Sequence, residues 1–168
     1  MIITHKKPKR WQCLPTALAM LTHLTPEAVM SVIGHDGSEI THAGLPEPLK
    51  RRGFHIQEII DVAFSLGYAM TEIQYGPTIT PYVSGQPAAG SATRVITDDD
   101  ARDRFEHHLD SSRGLLATHS KVQGHVWVYQ DGIVYDPDGI QTPFSYSVDE
   151  LNRLHAIPVA LWRMDRIA

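Results

Sequence analysis

The sequence predicts a single α+β domain in which helices come first and an antiparallel sheet follows. Two observations lead to this prediction. Apolar residues recur at helical spacing in several segments of the first two thirds, whereas the last third holds short β-branched and aromatic runs joined by turn signals. A chain of 168 residues suits one domain, spanning residues 1–168, and no internal repeat or low-complexity segment divides it.

The first two predicted helices have clear starting residues. Pro15 is acceptable in a helix only within the first turn, so the apolar stripe that follows places Cys13 at the helix N-terminus. The second helix is predicted to begin at Pro26 with Thr25 as its cap, and to end at Gly34. Its inward positions are expected to be Val29, Val32 and Ile33.

Two further helices are predicted at 56–66 and 98–109. Gly67 ends the first of them, and the acidic start of the second suits the positive end of a helix dipole. The buried stripe of the helix at 56–66 is expected to consist of Ile59, Ile60, Ala63 and Phe64.

Strands are predicted mainly in the last third of the chain. Asp131-Gly132 is a strong two-residue hairpin signal between apolar runs. Glycines and prolines predict a loop at 76–93 and an irregular segment at 38–53, and the spacing of Ser147 and Glu150 indicates a short helix at 147–154. The predicted strands are 68–75, 114–119, 125–129, 133–136 and 157–163.

Composition narrows the function classes. Hydrophobic residues make up 42% of the chain and charged residues 20%, which is typical of a soluble globular protein. The formal net charge of −4 argues against nucleic acid as a partner, because phosphate neutralisation needs a basic surface. The one basic cluster comprises Lys6, Lys7, Lys9 and Arg10, and a cluster at this place is expected to be a solvated arm.

No localisation or cofactor signal is found. The sequence holds no apolar run of about 18 residues, so no membrane span is expected, and its start lacks the apolar core of a signal peptide. One cysteine cannot form an internal disulfide, and together these observations favour the cytoplasm, or export by a route that the sequence does not reveal. The histidines match no metal-ligand motif, so neither metal nor cofactor is expected, and the oligomeric state stays open.

Cys13 is the candidate nucleophile. A thiol attacks as its thiolate, which is favoured at a helix N-terminus and beside a histidine cation. The position of Cys13 satisfies the first condition. A lone cysteine is also commonly a small buried apolar residue, so this position alone does not establish a catalytic role.

The predicted hairpin supplies a base and a carboxylate. With Asp131 and Gly132 as the loop, Trp127 lies opposite Asp136, and His125 becomes the diagonal neighbour of Asp136 on the same face. The carboxylate can then hold one tautomer of the imidazole and leave the other ring nitrogen for the thiol. A histidine on a strand more often has a structural role, and the run Asp136-Pro137-Asp138-Gly139 is also typical of a turn. The conjunction with a helix-starting cysteine nevertheless favours Cys-His-Asp catalysis.

A family resemblance supports this interpretation. The segment 12–21 resembles the nucleophile helix of the double-glycine leader peptidases and related papain-like domains, and 25–34 resembles their second helix. The segments 124–129 and 135–137 resemble their histidine and aspartate strands. The resemblance implies a papain-like fold, a triad of Cys13, His125 and Asp136, and cleavage of a peptide or isopeptide bond through a thioester.

The sequence departs from that family at the oxyanion donor. The family commonly places a glutamine several residues before the cysteine, where this chain has His5-Lys6-Lys7-Pro8, and Leu14 replaces the usual glycine. Gln12, which adjoins Cys13, is the candidate for this role, with a register shift as the alternative. Losing one such donor costs about a hundredfold or more in rate, which would give a protein of low activity. Two alternatives stay open, namely a weakly active or inactive papain-fold binding protein and a thiol acyltransferase.

Two tryptophans are candidates for walls of a cleft that holds a peptide or protein substrate. Trp11 immediately precedes the nucleophile, and Trp127 lies on the predicted histidine strand. Trp11 equally suits an apolar contact at the helix start, and Trp127 equally suits the core.

Overall fold

A computed structural model describes residues 2–39, 53–74, 98–119, 124–138, 144–145 and 157–167, and these ranges form an α+β structure, as predicted. The helices are α1 (Cys13–Thr22), α2 (Pro26–Ile33), α3 (Ile56–Ser65) and α4 (Asp98–Ser111). The strands are β1 (Tyr68–Gln74), β2 (Arg113–His119), β3 (Gly124–Gln130), β4 (Ile133–Tyr135), β5 (Phe144–Ser145) and β6 (Ile157–Arg166). The loop predicted at 76–93, the helix predicted at 147–154 and most of 38–53 lie outside the described residues.

Helices α1 and α2 begin where the sequence predicts. Helix α1 starts at Cys13, with Pro15 in its first turn, and α2 starts at Pro26, where the Thr25 hydroxyl accepts a 3.1 Å hydrogen bond from the backbone N–H of Ala28. Gly34 ends α2 with a left-handed φ of 94°. Residues 15–21 of α1 are all buried, so this helix runs through the core.

The predicted apolar faces of α2 and α3 need correction at two positions. Val32 is 60% exposed and Phe64 is 68% exposed, so the prediction that they point inward is wrong. A helix turns about 100° per residue, and the buried face of α3 follows the i, i+3, i+4 spacing of Ile59, Val62 and Ala63. Phe64 falls one step beyond that face.

The six strands form one antiparallel sheet in the order β1-β6-β2-β3-β4-β5. Alternation along the central strands separates two apolar clusters. Leu115 and Val128 pack with α1, α2 and α3, whereas Leu116 and Tyr129 pack with Phe105 and the rest of the apolar face of α4. The sheet therefore carries helices on both faces.

The hairpin of β3 and β4 has the predicted register. Val128 pairs with Tyr135 and Gln130 with Ile133. The loop residues Asp131 and Gly132 have φ values of 49° and 76°, and two successive positive values are what a type I′ turn requires. The ladder ends at the Val128–Tyr135 pair, so Asp136 follows directly after β4. Within the described ranges, no single helix has the length and apolar character to cross a membrane.

The Thr25 cap supports a stability prediction. Thr25→Ala removes the acceptor for the Ala28 N–H and is expected to lower the free energy of unfolding by about 1 kcal/mol, measured by urea denaturation. Thr25→Ser keeps the hydroxyl and serves as the matched control, with little change expected. Equal losses in both variants would contradict the role of the hydroxyl.

Candidate functional site

Cys13 is the first residue of α1, and its side chain is partly exposed. The carbonyl oxygen of Gln12 accepts hydrogen bonds from the backbone N–H of Thr16, at 3.2 Å, and from its hydroxyl, at 2.6 Å, which fixes the first turn. The side chain of Gln12, the residue before the helix, does not cap this helix start. The N–H groups of the first turn, which lack partners within the helix, therefore lie beside the thiol.

His125 and Asp136 are in direct contact. Nε2 of His125 lies 2.9 Å from Oδ1 of Asp136, and the two side chains are only 15% and 9% exposed. The ring of Trp127 meets the imidazole edge-on, with centroids 5.1 Å apart. The predicted pairing of the histidine with this carboxylate is therefore present in the structure.

The Cys13 side chain acts on the same imidazole, because hydrogen bonding to it and its charge are among the causes that raise the pKa of His125. Because Nε2 faces Asp136, Nδ1 is the ring nitrogen left for the sulfur. Burial disfavours the imidazolium, but the hydrogen bonds to Asp136 and Cys13 and the charges of these groups outweigh it. They raise the pKa of His125 to about 9. The histidine is thus a cation at neutral pH, the state that favours a neighbouring thiolate.

Asp136 is held as a carboxylate. Burial opposes its charge, but the hydrogen bond with His125, a 2.8 Å hydrogen bond from the backbone N–H of Asp138, and the charges of His125 and Lys7 together lower its pKa. A buried carboxylate with these partners suits the task of orienting an imidazole and stabilising its cation.

Gln12, the candidate oxyanion donor, is 2% exposed, and its Nε2 donates a 3.0 Å hydrogen bond to the backbone oxygen of Asp36. Trp11 donates to the same oxygen from Nε1, at 3.2 Å. Ser38 holds the turn, since its N–H and hydroxyl both donate to the Asp36 carboxylate and lower the pKa of that group to about 2. One of the two amide hydrogens of Gln12 is therefore already used.

The two tryptophan candidates occupy different surroundings. Trp11 is partly buried beside Cys13, with the ammonium of Lys9 5.5 Å from its ring centroid. Trp127 is 6% exposed and donates from Nε1 to the hydroxyl of Thr118 at 2.9 Å. Trp127 therefore lies behind the imidazole as part of the core, whereas Trp11 is partly exposed and stays a candidate for a wall of the cleft.

Sequence reasoning missed Lys7, which was expected to belong to a solvated arm. Its side chain is 11% exposed and forms an ion pair with Asp138, so that prediction is wrong for this residue. Its backbone N–H also donates to the oxygen of Pro137, at 2.7 Å. The one signal in the sequence is the acidic Asp136-Pro137-Asp138 run, since a partly buried anionic turn needs a cation.

The same cluster is the one group in the described part of the chain with the donor types and proximity of a metal site. Donor atoms of His125, Asp136 and Asp138 lie within 4.8 Å of one another. The imidazole is already bonded to one carboxylate, and the Lys7 ammonium is paired with the other. A cation at this place repels a metal ion, so the arrangement favours the hydrogen bonds and the ion pair among these residues over metal binding.

Comparison of the chain with protein-family models gives no match, and comparison with curated proteins gives none either.

Proposed function

We propose that this protein is a cysteine hydrolase of papain-like fold that cleaves a peptide, amide or isopeptide bond through a thioester on Cys13. One observation carries the proposal. A thiol at a helix start near residue 13 acts on a histidine with a raised pKa, which is bonded to a buried carboxylate on a hairpin more than a hundred residues further along the chain. Each has the role that nucleophilic catalysis by a thiol needs.

In the proposed reaction, the Cys13 thiolate attacks the carbonyl carbon of the substrate. His125 gives its proton to the leaving amine as the C–N bond breaks, and Asp136 keeps the ring in place. A water molecule then gives a proton to His125 and attacks the thioester, which releases the acid and restores the thiolate and the imidazolium. The backbone N–H of Cys13, with the second amide hydrogen of Gln12, would stabilise the oxyanion.

Labelling of Cys13 with iodoacetamide or an electrophilic peptide tests the proposal. We expect fast labelling at pH 7 and a decrease of about tenfold in His125→Ala, because the imidazolium no longer favours the thiolate. His119→Ala is the matched control, since His119 is an exposed histidine on the neighbouring strand β2. Equal labelling rates in the wild type and His125→Ala would overturn the proposal.

A second candidate is a binding protein of the same fold that has little or no catalysis. The observation that favours it is the hydrogen bond from Gln12 Nε2 to the backbone oxygen of Asp36. This bond uses one of the amide hydrogens that would otherwise be free to stabilise an oxyanion. Peptides bound equally well by the wild type and Cys13→Ala, with no cleavage by the wild type, would favour this function. Incorporation of an added amine into the product would instead identify an acyltransferase.

A further inference from the structure

The backbone ladder between β3 and β4 ends at Tyr135, the residue before Asp136, so the turn that carries Asp136 lies beyond the paired strands. The N-terminal arm, residues 2–10, holds this turn. The arm contacts the turn at two points. The Lys7 backbone N–H donates to the oxygen of Pro137, and the Lys7 ammonium pairs with the Asp138 carboxylate.

These contacts connect directly to the carboxylate of the triad. The backbone N–H of Asp138 donates to Oδ1 of Asp136, the same oxygen that faces Nε2 of His125. Any shift of Asp138 therefore moves the group that fixes the carboxylate. Because the Lys7 side chain is mostly buried, its ion pair is screened less by water than a surface pair would be.

We propose that Lys7 is a positioning residue for Asp136, acting through Asp138 to hold the carboxylate in line with His125. This inference rests on the proposed function for its catalytic meaning. Lys7 itself does not touch the thiol or the imidazole in this scheme.

Charge alone predicts the opposite effect, which makes the inference testable. Among the described residues, Asp136 and Cys13 act directly on the His125 ring, Asp138 places a carboxylate oxygen within 4.8 Å of a ring nitrogen, and Lys7 pairs with Asp138. A further histidine, His119 on β2, pairs with Gly124 and so lies one position along the ladder from the Thr118–His125 pair. Removing the Lys7 charge without moving anything would leave Asp138 unpaired and raise the pKa of His125. Loss of alignment with Asp136 would lower it.

The experiment is an NMR titration of the His125 ring in the wild type and in Lys7→Met. We expect the midpoint to fall by about one unit, a tenfold change in the protonation equilibrium, and the labelling of Cys13 to slow. Lys7→Arg keeps the cation, and its His125 midpoint is expected to lie close to that of the wild type. Lys6→Met removes the same charge from an exposed neighbour and serves as the matched control, with no shift expected.

An unchanged or raised midpoint in Lys7→Met would overturn the positioning role. Lys7→Gln provides a second variant that keeps a polar stem if Lys7→Met does not fold, and the same outcomes apply to it. The titration does not depend on catalysis, so the two proposals fail separately. A lowered midpoint with labelling that is indifferent to His125→Ala would retain the positioning role and reject the hydrolase.

Discussion

In Asp136→Asn, the pKa of His125 is expected to fall from about 9 by about two units. The asparagine oxygen still accepts a hydrogen bond from Nε2, but it carries no charge to stabilise the imidazolium. Burial of the ring, which disfavours the cation, remains. The NMR titration of the ring measures this change directly.

The same change alters how stability depends on pH. The folded-state pKa of about 9 lies above the ordinary value of 6.5, so folding favours proton binding to this group. Its contribution is present in full below about pH 6.5 and is lost as the pH rises through 9. The shift corresponds to about 3 kcal/mol in the free energy of unfolding, and most of this dependence should disappear in Asp136→Asn.

Urea denaturation between pH 6 and 9.5 provides the measurement. Asp61→Asn is a matched control, because Asp61 is an exposed acid on α3 whose carboxylate bonds only to Gln57 among the contacts in the described ranges. We expect its stability profile to run parallel to that of the wild type. A parallel profile for Asp136→Asn as well would show that the buried pair does not link folding to proton binding.

Gly114→Ala is expected to lower the free energy of unfolding by about 3 kcal/mol or more. Gly114 lies on β2, opposite Arg163 of β6, in the middle of the sheet. An added Cβ would overlap the backbone oxygen of Trp162 and lie 2.9 Å from its carbonyl carbon. These are backbone atoms, so no side-chain rotation relieves the overlap and the two strands must separate.

Gly124→Ala is the control for this prediction. Gly124 lies on β3 of the same sheet, and the nearest atom to an added Cβ is the Thr118 oxygen at 3.9 Å, an ordinary contact distance. Thermal denaturation of both variants should show a large loss for Gly114→Ala and a small change for Gly124→Ala. Comparable losses would contradict the steric overlap as the cause, because the lower entropy of the unfolded chain in a Gly→Ala variant favours folding.

Local rules were enough to predict the elements that carry the candidate triad. Pro15 fixed the start of α1, and the Asp131-Gly132 turn fixed the register that brings His125 next to Asp136. Both inferences use residues within a few positions of one another. The turn geometry therefore predicts that His125 lies next to Asp136 without any tertiary contact.

The surroundings of Cys13, His125 and Asp136 depend on contacts that no local pattern encodes. The pairing of Lys7 with Asp138 and the bond from Gln12 to the Asp36 oxygen join segments far apart in sequence. The burial of individual apolar residues is similarly non-local, since Phe64 belongs to an apolar run yet faces away from the core. Such features follow from how the elements pack, which the spacing of apolar residues constrains only coarsely.

The link between the N-terminal arm and the turn after β4 has a consequence for how the protein folds. Closing a loop this long is entropically costly and slow compared with forming α1 or the β3–β4 hairpin. During synthesis, a ribosome-bound chain exposes Cys13 long before His125 and Asp138 have emerged. In the nascent chain, the Cys13 thiol should therefore have no imidazole beside it. Its fast labelling by iodoacetamide should appear only as the last strands join the sheet.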